Sequence, residues 1–410
     1  MRARWLCLAA LAAGVASAAG CGGTGATGAS ETAGNQLAVY SSLPLQGPSA
    51  AISMQIVDGE KLALAQAGGR VGPFRVSYVS LDDSNPATGK WNPDVTATDA
   101  KTAAQDTSTI AYIGEYNSAA TAISLPLINA AGILQVSPSS PYIGLISSLD
   151  AGQDEPGRFY LSGRRNFARL APGDAAEARA QVRLINDLGV SKLYVLDDQD
   201  AFEGPLAAIL AGDAERAGIR VVGHDSLTVA PGASFTGEVE KIVESGAQAV
   251  FLAAGTGAGT VKLFKQLHAA NPRLLLLGPS TMVSDSFASE IGVAAGKTFL
   301  TTPTLALRLY PRSAQRVISD FRRSFPGVEA GPYALYGYEA MNTVLQAIRS
   351  AGSRGNDRQA VVERFFAATH QDSVLGPYSI EVDGETTLSQ YGVDRIVNGR
   401  PVFYRSVAVR

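Results

Sequence analysis

Beyond Asn35 the sequence alternates short apolar runs with helix-length amphipathic stretches, and this alternation restricts the fold more than any other feature. Leu37–Tyr40 leads through Gly47-Pro48 into Ile52–Ala67, which closes at Gly68-Gly69. Phe74–Leu81 ends at Asp82-Asp83, a polar loop passes Trp91, and Thr96–Asp106 has helical spacing. Ile110–Ile113, Thr121–Ala131 and Ile133–Val136 carry the rhythm on to Ser137-Pro138. It then begins afresh. Helix-like stretches at Ala175–Leu188, Glu203–Ala217, Gly237–Ser245 and Gly259–Ala269 alternate with strand-like runs at Lys192–Leu196, Ile219–Gly223, Ala249–Ala253 and Leu274–Leu277. Apolar strands separated by helices pair in parallel, joined by right-handed crossovers and covered by helices on both faces. Two such runs predict an α/β chain of two Rossmann-like lobes, each with a parallel central sheet.

From Thr298 no third run begins. An extended piece (Phe299–Leu305) precedes helices at Ser313–Ser324, Tyr333–Ala351 and Arg358–Ala368. After Gly376-Pro377 come strands at Tyr378–Val382, Asp394–Val397 and Val402–Ser406, with hairpin signals at Asp383-Gly384 and Asn398-Gly399. Helices and then strands suit a chain that returns to the first lobe and finishes in the second. The expected division is 37–160 with 301–372 in lobe I, and 161–300 with 373–410 in lobe II.

The first residues read as an address. Met1–Arg4 is basic, Trp5–Val15 is almost wholly apolar, and Ala16–Gly20 is small residues ahead of Cys21. Such a segment suits a signal peptide over 1–20, since a resident span needs roughly 20 apolar residues. Its ending is similar to a bacterial lipobox, which would make Cys21 an acylated first residue. Ala18 stands where Leu is commoner, and the alternative is an ordinary signal cleaved near Ala18 or Gly20. Cys7 lies in the removed part, so acylation would explain the thiol that remains. Residues 21–36, rich in Gly, Ala, Thr and Ser, read as a flexible tether from lipid to domain. The net charge of −3 offers no basic face for nucleic acid. Leu274–Leu277 is strand-sized, bounded by Pro272 and by Gly278-Pro279, and is too short to cross a membrane.

Ligands of open parallel sheets lie at loops beyond the carboxyl ends of strands. Here those loops run Pro44–Ala51, Glu115–Thr121, Ser137–Tyr142, Asp197–Gly204, Gly255–Gly259 and Gly278–Ser284. They hold Gly, Ser, Thr and Asn with few charges, which suits a carboxylate or carbonyl beside free helix-start amides. Taken singly, each hydroxyl is as well read as a helix cap. Gly255–Gly259 lacks the lysine and spacing of a phosphate loop and does not fit the dinucleotide fingerprint. His224, His268 and His370 have no metal-ligand spacing, and no Gly-x-Ser-x-Gly elbow occurs. Neither Asp82-Asp83 nor Asp197-Asp198 makes a ready acid/base couple, because strand neighbours point to opposite faces. The chain reads as a binder without cofactor or metal, and not as an enzyme.

Ser42–Gly69, with Gly47-Pro48 and Gly68-Gly69, resembles the opening of the type I periplasmic binding proteins. The closer likeness is to their leucine/isoleucine/valine-binding branch, which feeds ABC transporters. Ile113–Thr121 resembles that branch's IGxxxSxxT loop, and Val136–Ser140 its ISPSA loop. Asp197-Asp198 through Phe202-Glu203-Gly204 resembles its DDxxYGxG segment, and Leu375–Tyr378 its GPYSF segment. The resemblance implies lobes joined by a three-segment hinge, with crossings near Arg158–Pro172, Lys297–Thr304 and Asp372–Ser379. Ligand would bind between the lobes and close them.

By position, Ser118 matches the serine that holds a ligand carboxylate, with Tyr116, Asn117 and Thr121 beside it. Ser139, Ser140 and Tyr142 match the next loop, and Phe202 falls where the family keeps a tyrosine that closes over the ligand. In amino-acid binders an acid follows the second-lobe Gly-Pro and pairs with the α-ammonium; here Ser280 follows Gly278-Pro279. Thr256 stands where an aromatic is common, and Ile52 where another tyrosine lies. A buried ammonium without a carboxylate is costly. Either Glu115, Asp198 or Asp200 serves instead, or the ligand is not an α-amino acid. The expected protein is a monomeric substrate-binding lipoprotein outside the cytoplasmic membrane, working with an ABC permease. Its ligand would be an aliphatic amino acid first, an aromatic or other organic acid second. A sensor of the same fold, signalling to a membrane partner, is the other reading.

Overall fold

The computed structural model describes residues 31–409 apart from Ala33 and Pro231, so the signal peptide, Cys21 and most of the tether lie outside the described residues. The first sheet contains β1 (Gln36–Leu43), β2 (Arg70–Val71), β3 (Phe74–Asp82), β4 (Thr109–Ile113), β5 (Leu134–Ser137) and β6 (Phe167–Arg169). Their order is β2-β3-β1-β4-β5-β6, all parallel except β2. The second sheet begins with β7 (Lys192–Asp197), β8 (Arg220–Ser226), β9 (Ala249–Ala253), β10 (Leu275–Gly278) and β11 (Thr298–Thr302), all parallel. After the small pair β12 (Thr369–His370) and β13 (Tyr378–Ser379), β14 (Gln390–Val397) and β15 (Arg400–Ala408) add an antiparallel edge. The order there is β15-β14-β11-β10-β9-β7-β8. The last hairpin turns on Asn398 (φ 51°) and Gly399 (φ 71°), the left-handed pair that a two-residue hairpin requires.

Helices α1 (Ala50–Gln66), α2 (Pro93–Gln105) and α3 (Ser118–Ala130) belong to lobe I. Helices α4 (Asp174–Asp187), α5 (Glu203–Arg216), α6 (Thr236–Glu244), α7 (Ala258–Ala270) and α8 (Asp285–Glu290) belong to lobe II. The chain then returns to lobe I with α9 (Arg312–Ser324), α10 (Pro332–Ala351) and α11 (Arg358–Phe366). Close approach of α1 and α10 depends on two glycines. A Cβ on Gly59 would lie 2.2 Å from the Ala334 carbonyl oxygen, and one on Gly337 would lie 2.1 Å from that of Ile56. The lobe I core joins Val39, Ile113 and Val136 to Phe321, Leu335 and Val344, which are far apart in sequence.

The two Rossmann-like lobes are as the sequence predicts, but their limits move. Strand β6 extends lobe I beyond 160 to Arg169, and β11 keeps lobe II to Thr302. Val374, Leu375, Tyr378 and Ile380 pack in the lobe I core, so the last crossing falls after Ile380 and before β14, later than 372–379. β6 escapes sequence reading because three residues are too few to show a period. The Tyr378–Val382 strand shrinks to Tyr378-Ser379, while Asp383-Gly384 turns within the crossing itself.

Candidate functional site

Beyond β4 the chain turns through Gly114–Asn117 into α3. Asn117 is extended and its side chain makes no capping bond, and among the described residues no side chain is seen to accept from the first amides of α3. Its buried Oδ1 has no partner among the described residues. Ser118 opens the helix, and its Oγ accepts from the Tyr142 amide at 3.2 Å. This joins the two lobe I loops that sequence position nominates. Thr121 and Ser140 are fully buried and bonded hydroxyl to hydroxyl at 2.6 Å. The Ser140 hydroxyl also donates to the Glu115 carbonyl at 2.9 Å, with Ser140 held at φ 48°. These two are struts that shape the loop, leaving Ser118 and the free amides as its polar face. Ser139 is buried and donates its amide to Ser137 Oγ at 3.0 Å.

Aromatic rings meet across the lobes. The half-buried Phe202, just before α5, stands edge-on to Tyr142 with ring centroids 4.9 Å apart. The Tyr142 hydroxyl donates to Glu155 Oε2 at 2.5 Å, which fixes that ring. Tyr116 stands edge-on to Tyr333, at the start of α10, at 5.9 Å, and Tyr333 continues to Tyr336 at 5.8 Å. Sequence reading missed Tyr333; its one local signal is its place just after Gly331-Pro332, at a helix start.

Lobe II supplies acids. Glu177 of α4 is 1 % exposed and accepts from the Ser280 amide at 2.6 Å, the Ser280 hydroxyl at 3.0 Å and Thr301 Oγ1 at 2.6 Å. Burial pushes its carboxyl up, and the donors from Thr301 and Ser280 pull it back. A carboxylate therefore stands against Ser280 after all, delivered from another helix. Glu203, at the first position of α5, is pushed well up by burial and by the negative charges of Asp174 and Glu177. Burial pushes the Tyr333 hydroxyl well up, and Tyr116, Tyr310 and the negative charge of Glu177 push it further. Neither acid was read as a ligand group from sequence: Glu177 sits inside a helix-like stretch, and Glu203 opens one, where an acid reads as an ordinary first-turn residue.

The other nominated acids lie elsewhere. Glu115 is wholly buried; its Oε1 accepts from the Tyr112 hydroxyl at 2.5 Å, and burial and Asp83 push its carboxyl well up. It lies in the core beside Asp83 and Asp99, held by the Tyr112 hydroxyl while the two acids push its carboxyl further up. Asp198 accepts from the Asp200 and Gly255 amides, and Asp200 from the Phe202 amide. Both serve as turn formers. Thr256 is exposed.

Behind the lobe I loop, Arg169 is fully buried. Its Nη1 donates to the carbonyls of Ser140, Pro141 and Tyr142 at 3.1, 2.7 and 2.8 Å. Its Nε and Nη2 grip Glu385 of the last crossing, Nη2 at 2.6 Å. One side chain of β6 thus ties the loop after β5 to the last crossing.

Two parallel-sheet lobes with carboxyl-end loops turned on one another, hydroxyls and amides on one side and acids on the other, define a bilobed solute-binding protein. The chain belongs to the periplasmic binding protein family, whose profile matches residues 41–397. A Leu/Ile/Val-binding protein homolog from Brucella suis is 25% identical over 353 residues, covering 85% of this chain and 87% of its own. A leucine-binding protein from Thermotoga maritima superposes with a TM-score of 0.72 at 18% identity, covering 91% of this chain and 99% of its own. A solute-binding protein from R. palustris, solved with benzoate, gives 0.68 at 18% identity, covering 91% and 97%. The family consists of extracytoplasmic solute-binding proteins of the ABC-transporter type, and no helix among the described residues is long and apolar enough to cross a membrane.

Proposed function

We propose that the protein captures an α-amino acid between its lobes and hands it to an ABC permease, while held at the outer face of the cytoplasmic membrane by a lipid on Cys21. The observation that carries the ligand class is Glu177, whose carboxylate meets the amide and hydroxyl of Ser280, where the sequence left the ammonium partner missing. The free amides of α3 and Ser118 receive the carboxylate; Glu177 receives the ammonium. The ligand's backbone is then read by opposite charges from opposite lobes, so closure is favoured only when both ends are present.

A thermal-shift screen of the purified protein tests this. A ligand bound by the native state alone raises Tm, so amino acids are expected to raise it and their deaminated acids to fail. A shift with benzoates alone would sink the amino-acid reading. It would favour instead an aromatic acid clasped by Tyr116, Tyr333, Tyr142 and Phe202. For the anchor, Cys21→Ser is expected to release the protein from membranes and to abolish labelling by a radioactive fatty acid.

A further inference from the structure

The segments that lead into the strands of the first sheet gather at one pole of lobe I, at the far end of the sheet from the ligand loops. Thr109, opening β4, and Ala131, just ahead of β5, both give their carbonyls to Arg358, at 2.9 and 3.1 Å. Asn129 accepts from the Ser162 amide at 2.7 Å and donates to the Arg164 carbonyl at 2.8 Å, which brings in the approach to β6. A Cβ on Gly355 would meet the ring of Phe74, the first residue of β3, at 2.6 Å. Within 31–36, 67–75, 105–109, 131–134, 160–167 and 351–359 the charged residues are six arginines against Glu31, Asp106 and Asp357, in a chain whose net charge is −3. Three of the arginines have work inside the protein: Arg354 pairs with Asp357 at 2.7 Å, Arg358 holds the carbonyls, and Arg165 stacks on Tyr160 at 4.1 Å. The other three, Arg70, Arg75 and Arg164, are exposed and form no ion pair among the described residues. Arg70 and Arg75 stand directly opposite each other on the β2–β3 ladder, where like charges destabilise the pairing and an anion would relieve it. Close to Arg164, Leu161 is 65% exposed.

The chain also enters the domain at this pole. The Thr32 amide donates to the Asn356 carbonyl at 2.8 Å, and Glu31 bridges to Asp357. The ten residues between Cys21 and Thr32 can reach no further than about 40 Å. Resting on the lipid anchor proposed above, we infer that the arginine pole of lobe I lies on the bilayer, with Arg70, Arg75 and Arg164 on the phosphates of anionic lipids and Leu161 in the headgroup layer. A guanidinium matches a phosphate with two parallel hydrogen bonds, and an exposed leucine among arginines suits the boundary between water and acyl chains. The anchor makes this second contact intramolecular, so a patch too weak to hold the protein alone is enough to orient it. The cleft, at the other end of the sheet, then faces away from the lipid.

The test places the full mature protein on vesicles of neutral phosphatidylcholine, or of the same lipid with about one-third phosphatidylglycerol. A fluorophore on Ser353→Cys, exposed at the pole, reports its closeness to a headgroup-linked acceptor by energy transfer. Transfer is expected to be about twofold or more higher on the anionic vesicles, and the excess to vanish in about 1 M salt, which screens charges within ~3 Å. In Arg70→Gln/Arg75→Gln/Arg164→Gln the excess is expected to vanish at low salt as well. Equal transfer from protein that floats with both vesicles overturns the inference and leaves the anchor standing; the arginines then face solvent or an acidic protein. An excess that survives the triple substitution or the salt also overturns it. Flotation with the anionic vesicles alone overturns the anchor and supports the arginine surface, whereas flotation with neither overturns both. The comparison of the two vesicles decides the question even if the triple variant fails to fold.

Discussion

Both lobes bury carboxyls near the loops at the carboxyl ends of their strands, yet they use them in opposite ways. In lobe I, Asp83, Asp99 and Glu115 lie behind the loop, capped by Thr96, Ser42 and Tyr112. The polar face that lobe I turns outward is hydroxyls and amides. In lobe II, Glu177 takes the amide and hydroxyl of Ser280 in the loop itself, and Glu203 opens α5. The contrast teaches that an acid near a strand end is defined by its donors: Glu115 is held by a core hydroxyl behind its loop, Glu177 by the amide and hydroxyl of the loop itself.

The comparison breaks most severely at the one residue that serves both halves. Arg169→Met removes the cation between Glu385 and three loop carbonyls, so the lobe I loop and the hinge lose their shared anchor. Losing one partner of a buried pair costs about 3–5 kcal/mol, and calorimetry should show a large fall in Tm. Exchanging equivalent substitutions sharpens the contrast next. Glu177→Gln is expected to weaken amino-acid binding about ten- to hundredfold, whereas Glu115→Gln should leave it within about twofold; equal losses in titrations of the two variants would mean that the lobe I cluster is also a ligand group.

A third effect, smaller again, is pH dependence. Burial raises Asp83 to about 7, and burial together with Asp83 holds Glu115 well above the usual carboxylate range. Asp82 and Asp99 add negative charge, while Thr96 and Tyr112 donate to the pair. Folded values above the unfolded ones mean that the native state holds extra protons. The stability from this cluster is therefore complete below the unfolded carboxylate range and lost as pH rises through about 7. The share from Asp83 should appear as a Tm about 2–4 °C lower at alkaline than at mildly acidic pH, per kcal/mol lost. Asp83→Asn should flatten that slope. Least of all, Thr256→Ala should change stability by no more than about 0.5 kcal/mol and leave titrations unmoved, because Thr256 is exposed.

How far the site was legible varies by residue for physical reasons. Ser118 and Tyr142 could be read because they follow apolar strands, and a loop at a strand's carboxyl end declares itself in one dimension. Thr121, in the first turn of α3, and Ser140, in the loop after β5, could be located from sequence, but whether a hydroxyl faces ligand or neighbour depends on a bond between residues far apart in sequence. Glu115 follows a strand as Ser118 does, and only the packing of Tyr112, Asp83 and Asp99 turns it inward.

The sequence by itself determined the two parallel-sheet lobes, the return of the chain through the hinge and the final hairpin. Strand length, helical period and turn residues are local properties, and each leaves its mark within a dozen residues. Tertiary structure alone decided where the charges meet. Glu177 reaches Ser280 across the fold, and Arg169 reaches Glu385 across most of lobe II's sequence. No periodicity encodes such pairs; the free energy of a buried charge depends on partners that come near only once the lobes have folded.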